Sequence, residues 1–138
     1  MIFLDTGFVF ALISTRDEHH QRVREVFETL KTEGSIHRLI TTNHVVAETV
    51  TLARRIGHEE ATRIGERLYS ENLARIHWAT PEEERAAFAW FRRYRDQTYS
   101  FVDCLSFVVM EKLGLREALA IDSDFTHRFI ARPGPKRR

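Results

Sequence analysis

A single cysteine, Cys104, leaves this 138-residue chain no internal disulfide, and its apolar neighbours mark it as a buried, reduced thiol. Nowhere does an apolar run approach the roughly 18 residues a membrane span needs. The first residues lack a basic start and carry Asp5 inside their apolar stretch, so neither an export signal nor a membrane partner is expected, and the expected location is cytoplasmic. Charge of one sign is missing too. Lys plus Arg number 21 against 20 Asp plus Glu, which gives no bulk argument for or against a polyanionic partner. Repeats and low-complexity linkers are absent. What remains is the composition of an ordinary globule, 43% hydrophobic and 30% charged, of a length that fits one domain.

Short apolar runs alternate with longer helical patterns, the signature of an α/β domain with a mainly parallel sheet. The runs are Ile2 to Leu4, Arg38 to Thr41, Arg75 to Trp78 and Ala118 to Ile121. Asp17 is read as the cap of a helix with Val23, Val26, Phe27 and Leu30 at helical spacing, ending near Gly34. A second helix follows Thr41-Thr42 and stops at Gly57, and a third runs from His58 through Ala61, Ile64 and Leu68. In "TPEE", Thr80 as cap, Pro81 in the first turn and Glu83 three residues after the cap form a capping box ahead of "RAAFAWFRRYR". Ser100 opens a fifth helix that Gly114 closes. One domain is expected over 1–132, with 133–138 as a loose basic tail.

Several carboxylates occupy positions that core packing alone would not choose. Asp5 lies between two apolar runs, where an unpaired charge is costly. It directly follows the first strand, as Asp122 follows "ALAI", and in open parallel sheets ligand sites gather outside the carboxyl ends of strands. Glu48 rides on the apolar stripe of its helix if that stripe runs through Val45 and Leu52. It sits at the border if the stripe runs through Val46, Thr49, Ala53 and Ile56. Asp103 is surrounded by apolar residues in "SFVDCLSFVVM", yet its spacing from Ser100 also fits a capping box. Asp124 can ligate an ion, hold a water, or cap a short helix. Like charges about 4 Å apart repel by about 4 kcal/mol at an effective dielectric of about 20, so a convergence of these acids needs raised pKa values or a cation. An all-oxygen set suits Mg²⁺ or Mn²⁺ rather than a soft metal. His19 and His20, being adjacent, do not make a zinc motif and are read as surface residues.

In order along the chain, "FLDTGFVFAL", "VVAE", "YSFVDCLSF" and "AIDSDF" resemble the PIN-domain nucleases, specifically the small VapC-type toxins of toxin–antitoxin pairs. The resemblance covers nearly the whole chain. It implies a three-layer fold with a central sheet of four or five mainly parallel strands between helices. It also implies an acidic site of Asp5, Glu48, Asp103 and Asp122 holding one or two Mg²⁺ or Mn²⁺ ions, with Asp124 as a possible fifth member and the hydroxyls of Thr6 and Ser100 beside it. Asp5, Asp103 and Asp122 are then metal ligands, and Glu48 a ligand or the base that positions water. The implied activity is endoribonuclease, cutting RNA to a 5′-phosphate and a 3′-hydroxyl until a cognate antitoxin occupies the site, and a homodimer is expected. Ala120 departs from the family, which frequently has threonine there.

Arginine suits phosphate, and Arg16 and the C-terminal Lys and Arg are candidates for gripping it. "FAWFRRYR" fits core packing, a dimer face or an antitoxin groove, with Phe88 and Phe91 read as buried helix packing. Two rival enzymes are disfavoured. A haloacid-dehalogenase-type phosphatase needs an acid at position 7, which is Gly7, and a receiver domain needs adjacent early acids and a late lysine. A PIN-like module that binds RNA or protein without cutting remains the non-enzyme alternative.

Overall fold

The computed structural model of the protein describes residues 1–136. Five strands, β1 (Ile2–Leu4), β2 (Leu39–Thr42), β3 (Arg75–His77), β4 (Glu117–Ala120) and β5 (Ile130–Pro133), form one sheet in the order β3-β2-β1-β4-β5. All four neighbouring pairs are parallel. Among the described residues six α-helices flank it: α1 (Thr6–Ile13), α2 (His20–Glu33), α3 (Asn43–Ala53), α4 (His58–Tyr69), α5 (Pro81–Arg93) and α6 (Phe101–Leu113).

Alternation along the central strands separates two cores. Ile2, Leu4 and Leu119 face a layer that includes Phe8, Val23, Leu30 and Leu68, while Phe3, Ala118 and Ala120 face Phe107, Met110 and Phe125. Both faces of β1 and β4 are therefore covered, as a parallel sheet requires. After β1 the chain builds outward through β2 to β3, then returns by α5 and α6 to lay β4 on the other side of β1. The reversal between β1 and β4 is the topological switch point at which such sheets open a crevice.

Some local expectations need correction. The run after Asp5 is helix α1, eight residues with Phe8, Val9 and Ala11 all buried, too short and too uniformly apolar to show a helical period. Asp17 does not cap α2. His19 holds the cap position, and Asp17 Oδ1 accepts from the His19 amide at 2.8 Å in a turn just ahead of it. Phe88 and Phe91 are not core residues but 55% and 40% exposed. Helix α5 turns Glu83, Ala87 and Trp90 inward at helical spacing, which leaves both phenylalanines outside.

Strand β5 lies beyond the apolar runs expected to form the sheet, and Pro133 is its last residue. The Arg22 guanidinium then donates to the carbonyls of Pro133, Gly134 and Pro135 at 3.3, 2.9 and 3.5 Å. Of the expected tail, positions 137 and 138 lie outside the described residues. Among the described residues no helix is long and apolar enough to cross a membrane.

Candidate metal centre

Asp5 is placed by the two central strands. Its amide donates to the Leu119 carbonyl at 3.0 Å, which ties the end of β1 to the end of β4. Its carboxylate caps α1, accepting from the Gly7 amide at 3.4 Å. At the end of β4, Asp122 caps the 3₁₀ turn Ser123–His127 and accepts from the Asp124 amide at 3.0 Å. Asp103 comes from the facing layer. It forms a reciprocal capping box with Ser100, each backbone amide donating to the other's side chain at 3.0 Å. The cap reading and the site reading of Asp103 are thus compatible, since the capping geometry fixes the carboxylate at the mouth of α6.

One cleft of about 480 Å³ is lined by Asp5, Glu48, Asp103 and Asp122 together with Thr6 and Ser100, so all the first-rank candidates converge. The buried stripe of α3 is Val45, Val46, Thr49 and Ala53, which puts Glu48 at its border, facing the cleft beside Leu52. Thr6 is itself buried and its hydroxyl donates to the Val45 carbonyl at 3.5 Å, which links the start of α1 to α3. Asp124 lies behind the others. It is buried, accepts from the Thr98 hydroxyl at 2.7 Å, and still offers an oxygen to the group. Oxygens of Asp103, Asp122 and Asp124 all lie within 4.8 Å of one another.

The electrostatics follow from this crowding. Burial raises the Asp5 carboxyl well above its ordinary value, the charges of Asp103 and Glu48 add to the rise, and the amides of Thr6 and Gly7 only partly oppose it. Asp103 is pushed up to about 6, chiefly by burial and then by Asp122 and Asp124, against the capping bonds of Ser100. Among the described residues that line the cleft there is no lysine or arginine to relieve this. An oxygen-only donor set with uncompensated negative charge fits a hard divalent cation such as Mg²⁺ or Mn²⁺.

Of the lining residues beyond the expected set, two are titratable, Asp17 and His19, and one more, Thr98, carries a hydroxyl. The reading of His19 as a surface side chain needs correction, because it is 18% exposed and belongs to the cleft wall. The nearest sequence signal is a histidine standing where a helix cap usually has an aspartate, asparagine or serine. Arg16, by contrast, does not line the acidic cleft. It lines an adjoining groove with Arg55, and Phe10 is common to both.

Comparison with known proteins agrees with the sheet. The PIN domain family matches residues 2–128. A Mycobacterium tuberculosis protein named 23S rRNA-specific endonuclease VapC20 is 36% identical over 127 residues, covering 91% of this chain and 92% of that one. The crystal structure of VapC20 from the same organism, described as a sarcin-ricin loop cleaving toxin, superposes with a TM-score of 0.81 at 34% identity. That match covers 92% of this chain and 94% of the other. An Archaeoglobus fulgidus protein named VapC ribonuclease is 33% identical over 131 residues, 94% of this chain and 81% of that protein. The chain belongs to the PIN-domain family, among its VapC-type ribonucleases.

Proposed function

We propose that this protein is a divalent-metal-dependent endoribonuclease acting as the toxin of a toxin–antitoxin pair in the cytoplasm. The observation that carries the reading is the convergence of four acids from β1, α3, α6 and the end of β4 on one cleft that lacks lysine and arginine among its described lining residues. Asp103, Asp122 and Asp124 would hold a Mg²⁺ or Mn²⁺ ion, with Asp5 completing the set. When bound, such an ion lowers the pKa of a water and offsets charge developing on the phosphodiester.

The chain's own groups do the rest. Glu48 takes the proton of the attacking water on its carboxylate, the water oxygen bonds to phosphorus, and the P–O3′ bond breaks. The departing 3′-oxygen is protonated from solvent, leaving a 3′-hydroxyl and a 5′-phosphate. Ser100 holds Asp103 through the capping box. The Thr98 hydroxyl, donating to Asp124 at 2.7 Å, holds that carboxylate towards Asp103 and Asp122. Arg16 and Arg55 in the adjoining groove would grip phosphates of the flanking strand. Replacing both with alanine should make the log–log salt dependence of RNA binding shallower by about 0.7 for each phosphate that is no longer neutralised.

The substrate proposed is a structured RNA, and the sarcin-ricin stem-loop of 23S rRNA, the target of the mycobacterial relative, is the first to try. The partner proposed is an antitoxin that places a basic side chain among the acids. A homodimer, testable by sedimentation, is the expected assembly. The deciding experiment incubates purified protein with that stem-loop and with whole 23S rRNA in Mg²⁺ or Mn²⁺, alongside chelator and Asp5→Asn controls. Cutting abolished by both controls is the expected result. Cutting that survives Asp5→Asn comes from something else, and RNA bound but never cut would favour the non-catalytic module.

A further inference from the structure

A cleft walled by acids has to admit a polyanion, and metal ligation accounts for only part of that wall. His19 is the one nitrogen base among the described lining residues. Its place in the chain is unusual. It occupies the N-cap of α2, where Ser, Thr, Asp or Asn normally bonds the free amides of the first turn, yet its side chain makes no capping bond. The helix start gives up local stabilisation of about 1 kcal/mol, and the imidazole is directed to other partners.

Those partners fix its chemistry. An Arg22 guanidinium nitrogen lies 3.1 Å from His19 Nδ1, and arginine can only donate, so Nδ1 is the acceptor and the ring proton resides on Nε2. Arg22 is itself anchored by the carbonyls of Pro133, Gly134 and Pro135, so the ring is braced against the segment that follows β5. Nε2 lies 3.3 Å from Oε1 of Glu18, a side chain 71% exposed whose other oxygen is 3.5 Å from the Lys136 ammonium. Glu18 is thus a loose, solvated partner that a better acceptor can displace, and it keeps a cation of its own when it leaves.

We infer that His19, braced by Arg22, is a substrate-binding residue whose Nε2–H donates to a non-bridging phosphate oxygen of RNA in the acidic cleft. The inference rests on the ribonuclease reading of the same cleft. It assigns His19 no proton transfer. The effect expected is on binding, because one hydrogen bond to a charged acceptor corresponds to a change of about tenfold or more in affinity.

The test separates this assignment from the reading beneath it. In a Glu48→Gln background, which slows cleavage, anisotropy of a fluorescently labelled 23S stem-loop in Mg²⁺ reports RNA affinity without turnover. Adding His19→Ala should weaken binding about tenfold, whereas His19→Gln, whose amide nitrogen overlays Nε2, should stay within about threefold. In the otherwise wild-type enzyme His19→Ala should raise KM by a similar factor and leave kcat within about twofold. Equal affinity for His19, His19→Ala and His19→Gln overturns the assignment, as does a loss that appears in kcat alone. If the wild type cuts no RNA but binding still depends on His19, the hydrolytic reading fails and the assignment of His19 to phosphate stands. His19→Ala loses the Arg22 bond but no helix cap, so the variants should unfold within about 8 °C of the wild type, the shift that about 1 kcal/mol gives, and circular dichroism checks this.

Discussion

Asp5 and Glu83 are both almost fully enclosed, at 6% and 3% exposure, and their carboxyl groups are driven in opposite directions. Burial by itself would raise both. At Glu83 it is outweighed by the Thr80 amide, the His77 ring and the Lys112 ammonium, and the pKa falls to about 2. His77 Nε2 and Lys112 Nζ lie 2.9 and 3.0 Å from its oxygens, and the Thr80 amide donates at 2.8 Å. At Asp5 the amides of Thr6 and Gly7 do not match the burial and the repulsion from Asp103 and Glu48, and the pKa rises. Glu83 carries its compensation within the chain and holds α5 against the body of the domain. Asp5 belongs to a cluster that the described lining residues of its cleft leave without a lysine or arginine, which is the difference expected between a structural acid and one that serves a cation site.

The largest break in this comparison comes from Asp103→Asn. RNA cleavage should fall by more than about a hundredfold, because even the groups that only support a metal ligand are worth about 10- to 100-fold. The amide keeps an oxygen for the Ser100 capping bond, so the fold is retained. In chelator at pH 7 the variant should be more stable than wild type by on the order of 1 to 3 kcal/mol, since a charge that burial disfavours has gone. A variant that unfolds more readily than wild type in chelator would show that the acidic cluster is compensated internally after all.

Glu83→Ala should do the reverse. It deletes the capping bond together with the ion pairs to His77 and Lys112, at a cost of about 2 to 3 kcal/mol in urea unfolding. Cleavage per folded molecule should be unchanged, because Glu83 does not line the acidic cleft. A loss of kcat at full folding would break the division between the two acids.

What is legible in the sequence follows the same division. The capping boxes at Thr80 and Ser100 are readable because they are three-residue patterns with a local cause, and both are present. The parallel sheet is readable because both faces of β1 and β4 are buried, which writes continuous apolar runs. Strand β5 is not. "IARP" carries an arginine and a proline, and it is a strand only because it pairs with β4, in a register that sets Ala131 against Ala118 and Pro133 against Ala120. The site acids can be suspected one by one from their places after strands or on apolar stripes. That Asp124 turns inward, with an oxygen within 4.8 Å of those of Asp103 and Asp122, goes with its bond to Thr98, 26 residues away, and no spacing rule reaches that far. His19 is hidden because its adjacency to His20 argues only against zinc, and the ring's true partners, Arg22 and through it residues 133–135, are fixed only by the fold.

The smallest and sharpest test of the comparison is its pH dependence in chelator. Glu83 has a depressed folded pKa, so its stabilisation is complete above its ordinary value of 4.5 and is lost as pH falls through about 2. Asp103 has a raised one, so its contribution is complete below its ordinary value of 3.8 and is lost as pH rises through about 6. Melting temperatures of wild type, Glu83→Gln and Asp103→Asn should therefore diverge in opposite senses. The gap between wild type and Glu83→Gln narrows from pH 4.5 towards 2, while Asp103→Asn gains on wild type between about pH 4 and 7. Saturating Mg²⁺ or Mn²⁺ should erase the second trend and leave the first untouched, because a cation in the cleft replaces the proton on Asp103 and has no access to Glu83. Parallel pH curves for the two variants, or a cation effect on both, would mean that the two acids share one electrostatic environment.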